Sequence, residues 1–298
     1  MNRTLLRVSA LLLPFAWAAC TDSPLEPPMD REPVTAAAPG VSVSSAAELQ
    51  SALDAAAAGG ASLIRIRGTI DLDTPLMYQS DQDLTLLGTQ GARVVGPTNA
   101  IAPPSLSNQR VGEETVGDAL QILGAPNLTI RNLDFQGQTG HGIYFETTDG
   151  ATGTVQIDLN GVTFADQGLS ALWFEDQTGG SQAAPDPIES TASVHVSLNR
   201  VNVFDTGMAE DQAQSCRGLA EEAGCPWADF DGMRFNEGGN GGITFFFRDV
   251  NFSGNFGDGI EFDEIGDGGV VGTVVNSSFN DNGAQLQFPA DVEDGFDI

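Results

Sequence analysis

From Leu128 onward, apolar and polar residues alternate over short stretches that recur in one frame. LTIRNLDF (Leu128–Phe135), QIDLNGVTF (Gln156–Phe164), TFFFRDVNF (Thr244–Phe252) and GTVVNSSF (Gly272–Phe279) set apolar side chains at matching positions. HVSLNRVNV (His195–Val203) carries Val where the others end in Phe. In three of these copies the next apolar residue falls eight positions after the Phe: Phe135 to Ile143, Phe164 to Leu172 and Phe252 to Ile260. Each then opens a second alternating stretch, IYFE (Ile143–Glu146), LWFE (Leu172–Glu175) and IEFD (Ile260–Asp263). Alternation of period two predicts strands. Recurrence at 29 residues (Phe135 to Phe164) and 27 residues (Phe252 to Phe279) predicts stacked units, each too small to bury its apolar face alone.

Upstream, Ser44–Asp54 runs into Ala55–Ala58 and then Gly59-Gly60. Ser at the cap, Glu48 three residues on and Gly past the end predict a short helix. Strands are predicted at Leu63–Arg67, Thr69–Leu72, Leu84–Leu87 and Arg93–Val95, several of them nearly continuous apolar runs, as parallel strands require. ELQSALDAAAAGG, then IRIRGTIDL, then LTLLGTQGARVVGP resembles the opening of right-handed parallel β-helix proteins of the pectate-lyase-like superfamily. The resemblance covers residues 44–298 and implies a single-stranded solenoid with a capping helix on its first coil. Physical reasoning leads to the same all-β class: coils stacked about 4.8 Å apart let every strand pair in parallel. Phe135, Phe164, Phe252 and Phe279 would then form one internal ladder, and Phe145, Phe174, Phe235 and Phe262 another.

Three regions flank or interrupt this frame. Residues 1–20 read as a targeting segment, with Arg3 and Arg7 ahead of the apolar run Val8–Ala19. Cys20 stands where a bacterial lipoprotein signal carries its lipidated residue, and Ala16-Trp17-Ala18 also fits an ordinary cleavage site. Both readings export the chain, to the cell envelope as a lipoprotein or as a secreted protein. Residues 21–40 are a Pro-rich tether, and the β-helix is expected over 41–298. Within it, 179–193 and 204–230 read as excursions, the longer holding Trp227 and a Cys216–Cys225 disulfide suited to an oxidising compartment. Near the end, Glu293–Ile298 restarts a strand unit and stops. An unpaired edge is expected there, available to an edge partner or to further chain.

Charge limits the partners. Forty-one acidic residues face twelve basic ones, all Arg, for a net charge of −29. Such a field disfavours nucleic acid and anionic membrane surfaces, which leaves the lipid anchor as the membrane contact. It suits divalent cations.

Superposing the second stretches yields an outward column of Tyr144, Trp173, Arg234 and Glu261. In β-helix polysaccharide enzymes the substrate lies across such a face, so the resemblance implies a carbohydrate track there. Aromatic rings stack on sugars, and Arg pairs with a uronate or serves as a lyase base. Two positions before each strand stand His141, Ser170, Asp231, Asp258 and Asp294. Asp231 and Asp258 on adjacent coils would form a carboxylate pair or share a cation, while Asp-Gly is also an ordinary turn dipeptide. Candidate catalytic residues are therefore Arg234, Asp231, Asp258 and Glu261, with Tyr144, Trp173, His141 and Trp227 as substrate contacts. Gly140-His141-Gly142 resembles the GHG motif of polygalacturonase-like hydrolases, but that family's Asp-Asp and Arg-Ile-Lys are absent. Glu146, Glu175, Asn236 and Asp263 form a further column that is followed by Glu237, Glu264 and Asp267. Stacked carboxylates repel unless a cation intervenes, and calcium is the candidate for Asp263, Glu264 and Asp267. The competing functions are carbohydrate binding or processing, by a lyase or hydrolase if catalytic, and a non-catalytic adhesion or calcium-stabilised spacer.

Overall fold

The computed structural model describes residues 40–98, 117–148, 150–176, 190–207, 231–264, 268–283 and 295–298. Cys20, Cys216, Cys225, Trp227, Asp267 and Asp294 lie outside them, as do residues 21–39 of the tether and the 208–230 part of the long excursion.

The chain begins with β1 (Val41–Val43) and α1 (Ala46–Ala57), then winds through coils of three strands. The coils are β2 (Leu63–Ile66), β3 (Thr69–Asp71), β4 (Leu76–Gln79); β5 (Leu84–Gly88), β6 (Arg93–Val95), β7 (Leu120–Leu123); and β8 (Leu128–Arg131), β9 (Asp134–Gln136), β10 (Ile143–Glu146). They continue as β11 (Thr152–Asn160), β12 (Thr163–Ala165), β13 (Leu172–Glu175); β14 (Thr191–Asn199), β15 (Asn202–Phe204), β16 (Met233–Glu237); and β17 (Ile243–Arg248), β18 (Asn251–Ser253), β19 (Ile260–Glu264). The last strands are β20 (Val270–Val275) and β21 (Ser278–Asn280).

Among the described residues, strands of like position pair in parallel, so the coils build three sheets. The first has eight strands in the order β1-β2-β5-β8-β11-β14-β17-β20. The second has seven, β3 to β21, and the third has six, β4-β7-β10-β13-β16-β19. This is a parallel β-helix.

The capping helix forms as its sequence predicts. Ser45 Oγ accepts the Glu48 N–H, and Glu48 reaches back to the N–H and hydroxyl of Ser44. At the other end Gly59, at φ 85°, lets Gly60 N–H bond Ala55 O and Gly59 N–H bond Ala56 O. Leu49 and Leu53 on its buried face close the core beside Val43.

Two kinds of corner turn the chain. Between the first and second strands a single residue sits in the left-handed region: Asn132, Gly161, Arg200, Asp249 and Asn276, with φ between 50° and 64°. Asn, Asp and Gly enter that region most cheaply, which accounts for four of these five residues, Arg200 being the exception. After the second strand runs a buried polar column. Gln138 Nε2 donates to the carbonyls of Val94 and Gly96, Gln167 to that of Phe135, and Thr206 Oγ1, Asn255 and Asn282 continue the chain of bonds. It satisfies carbonyls that the bend pulls out of the sheets.

Both aromatic ladders exist. Phe135 stacks on Phe164 at 5.1 Å and Phe252 on Phe279 at 5.3 Å, with Val203 filling the rung between Phe164 and Phe252. Phe145, Phe174, Phe235 and Phe262 follow one another at 5.3, 6.2 and 5.3 Å.

The structure also revises the sequence reading. The coils begin at Leu63, within the span expected for the β-helix, but β1, β4 and β7 had no predicted counterpart. Leu63 to Leu84 spans only 21 residues, and residues 99–116 separate β6 from β7, so the early coils break the later period. β14 starts at Thr191, inside the stretch expected to be an excursion. At the end of the stack, Asp297 forms a lone parallel bridge with Glu261, and Phe296 packs against Phe262 and Phe279. β20 presents Val271, Val274 and Val275 to solvent, as an outer edge does.

Candidate functional site

The outer face of the third sheet differs from that of the first. In β11, β14 and β17 the outward residues are exposed or half-buried, as plain alternation predicts. In β7, β10 and β13 both inward and outward residues of the first three positions are buried. Tyr144 is 3% exposed and Trp173 2%, although each points away from the core. This is the face on which outward aromatic and polar side chains have been withdrawn from water.

Register places the sequence candidates side by side. Gln121, Tyr144, Trp173, Arg234 and Glu261 are consecutive partners across β7, β10, β13, β16 and β19. Arg234 is the centre. Its guanidinium stands 3.3 Å from Asp231, 2.6 Å from Glu261 and 2.5 Å from Asp263, donates through Nε to Asn236 at 3.0 Å, and lies 5.2 Å from the centroid of Trp173. Asp231 is buried because its Oδ1 accepts the Asp258 N–H at 2.9 Å while its Oδ2 faces Arg234. Carboxylate oxygens of Asp231, Asp258 and Glu261 lie within 4.8 Å of one another. These contacts are strong because they are charge-assisted and partly screened from water.

The column expected to repel is held apart by neighbours. Tyr144 OH donates to Glu146 at 3.1 Å, Trp173 Nε1 to Glu175 at 3.0 Å, and Asn236 Nδ2 also to Glu175 at 2.9 Å. Asp263 faces Arg234, so a guanidinium supplies positive charge at this carboxylate. Glu264 accepts the Gly268 N–H at 3.2 Å.

His141 is fully buried. Its Nδ1 stands 3.1 Å from Asp118 Oδ1, which also accepts the His141 N–H, and Gln121 donates to Asp118 Oδ2. The ring sits 5.8 Å from both Tyr144 and Trp173. Its Nε2, and the Ser170 hydroxyl one coil further on, have no hydrogen-bond partner among the described residues. Asp118 and Gln121 went unpredicted, yet the signal was present: DALQI (Asp118–Ile122) matches DGMRF (Asp231–Phe235) and DGIEF (Asp258–Phe262), with Ala in place of Gly.

At the far end of the same strands, Asp176 and Glu237 are buried on adjacent coils. Burial, and then the charge of Asp176, push the Glu237 carboxyl up to about 7, and burial also raises Asp176. An acid that holds its proton more tightly when folded stabilises the fold fully below its ordinary value of 4.5. That contribution is withdrawn as pH rises through about 7. Urea unfolding in the presence of EDTA should therefore show the wild type losing stability relative to Glu237→Gln between pH 4.5 and 7. A difference that stays flat over that range would refute the pairing.

No family model, no curated protein and no solved structure matches this chain.

Proposed function

We propose that this chain is an exported cell-envelope β-helix protein that binds and hydrolyses neutral polysaccharide at the Arg234–Glu261 end of its third sheet. Export rests on the Val8–Ala19 run and Cys20, and the carbohydrate reading on resemblance to the pectate-lyase-like superfamily together with the site. One observation carries it. A carboxylate triad, an aromatic column, and two buried polar atoms without partners among the described residues, His141 Nε2 and Ser170 Oγ, belong to the strands of one sheet and the turns that lead into them. An unsatisfied buried polar group costs about 1–3 kcal/mol, and sugar hydroxyls beside aromatic rings are the chemistry that would relieve it.

The geometry favours hydrolysis over lyase chemistry. A guanidinium bound by three carboxylates stays charged and is no base. The same carboxylates leave little attraction for a uronate. Oxygens within 4.8 Å suit the closely spaced acids of a retaining glycosidase. Glu261 and Asp258 would supply the two carboxyl groups, and Asp231 would anchor Arg234. Side chains at this end keep some exposure, 13% for Glu261 and 28% for Asp263, so the sugar would enter there.

The rival reading, a non-catalytic adhesion or spacer protein, draws on the near-complete burial of Tyr144 and Trp173, which then serve only as packing. Reducing-end release from a panel of neutral polysaccharides separates the two. Glu261→Gln should lower kcat by about 10²–10⁴-fold with the circular dichroism spectrum unchanged. If no polymer is cut or bound, or if Glu261→Gln turns over like the wild type, the hydrolase reading is lost and the spacer reading stands.

A further inference from the structure

The Asp176–Glu237 pair lies apart from the Arg234 cluster and has its own construction. Thr147, Asp176 and Glu237 occupy the same position on successive coils: the Thr147 N–H bonds Glu175 O at 3.0 Å and the Asp176 N–H bonds Asn236 O at 2.9 Å. Ser190, immediately before β14, brings a fourth oxygen, held by its bonds to Ala151 O and the Ala192 N–H. Thr147 Oγ1 donates to Asp176 Oδ1, and Asp176 is also within interaction distance of Ser190 and Glu237.

Glu237 is clasped by backbone. Its Oε1 accepts the N–H groups of Gly239 at 3.1 Å and Gly241 at 3.3 Å. A Cβ at either glycine would come within 2.2 Å of Ser190 O or 2.0 Å of Ala192 O, so this wrap is possible only without side chains. The remaining oxygens, Asp176 Oδ2 and Glu237 Oε2, are buried and have no hydrogen-bond donor among the described residues beyond a proton that the two acids could share. Neither acid is in an ion pair with a described residue. Two carboxyl groups withdrawn from water need a compensating charge or proton.

We propose that Thr147, Asp176, Ser190 and Glu237 form a calcium site that ties three coils of the third sheet to the start of β14. The donors are all oxygen, two of them carboxylates, which selects a hard cation. Calcium accepts a flexible shell of six to eight oxygens, whereas magnesium keeps its waters and demands a strict octahedron that a buried cluster does not provide. The site is separate from the Asp263–Glu264 ridge, where Arg234 already supplies a cation.

The test uses the full chain, stripped with EDTA and titrated with calcium chloride or magnesium chloride. Calorimetry should show one saturable calcium site with weaker magnesium binding. Calcium at 100-fold above its Kd should raise Tm by about 5–10 °C, and EDTA should reverse the shift. Asp176→Asn and Glu237→Gln should each weaken calcium binding more than about tenfold, while Asp263→Asn leaves it unchanged. Should either variant fail to fold, Thr147→Val and the reversible shift of the wild type decide the matter. A wild type indifferent to both calcium and EDTA would mean that the pair shares a proton instead, and the proposal falls. It falls equally if Asp263→Asn abolishes binding and Glu237→Gln does not.

Discussion

Phe174→Ala is expected to destabilise the protein by about 3–5 kcal/mol, the largest effect of any single core truncation considered. The ring is 1% exposed and lies between Phe145 at 5.3 Å and Phe235 at 6.2 Å. Its loss leaves a cavity that neither neighbour can fill, because each is fixed by strand register to its own coil. In a stacked fold stability is a sum of unit and interface contributions, and this residue contributes to two interfaces at once. Phe174→Leu, which keeps most of the volume, should cost less than about 1.5 kcal/mol. Chemical denaturation of the two variants checks the ranking. Equal costs would show that the ladder's stacking, rather than its volume, holds the coils.

Arg234→Ala should be nearly as damaging at neutral pH, by about 3 kcal/mol. The substitution strands Asp231 without its cation and leaves Glu261 and Asp263 close to it and to each other. The value sits at the low end for a broken buried pair because Glu261 and Asp263 retain some solvent. Asp231→Asn in the same chain should recover part of the loss, because it removes one of the like charges left together. Failure of Asp231→Asn to recover any of the loss would point to lost packing of the guanidinium on Trp173 instead.

Much of the fold is legible in the residues themselves. The inward positions, Phe135, Phe164, Phe252 and Phe279 among them, follow from alternation within a few residues, since a short strand has only one way to bury its apolar side. The capping helix follows likewise from Ser45, Glu48 and Gly59. The early coils were harder to see because their spacing is shorter and residues 99–116 intervene. Asp118 escaped notice for the same reason, although its own segment fits the frame.

The alignment that joined Tyr144, Trp173, Arg234 and Glu261 was readable from the repeat. What surrounds them was not. Trp173 and Arg234 are register partners separated by 61 residues, and His141 meets Asp118 from 23 residues away. Asp176 meets Glu237 across the same gap as Trp173 and Arg234.

The sequence alone thus determines a stacked parallel solenoid, its ladders, its cap and one chemically distinct face. Local periodicity is enough for these, because each unit solves the same burial problem. Only the tertiary structure decides that this outer face is buried, that Arg234 is bound by three carboxylates, and that Asp176 and Glu237 share one dry site. Those outcomes depend on which coils become neighbours after segments of unequal length, and an outward polar residue carries no local mark of the partner it will meet.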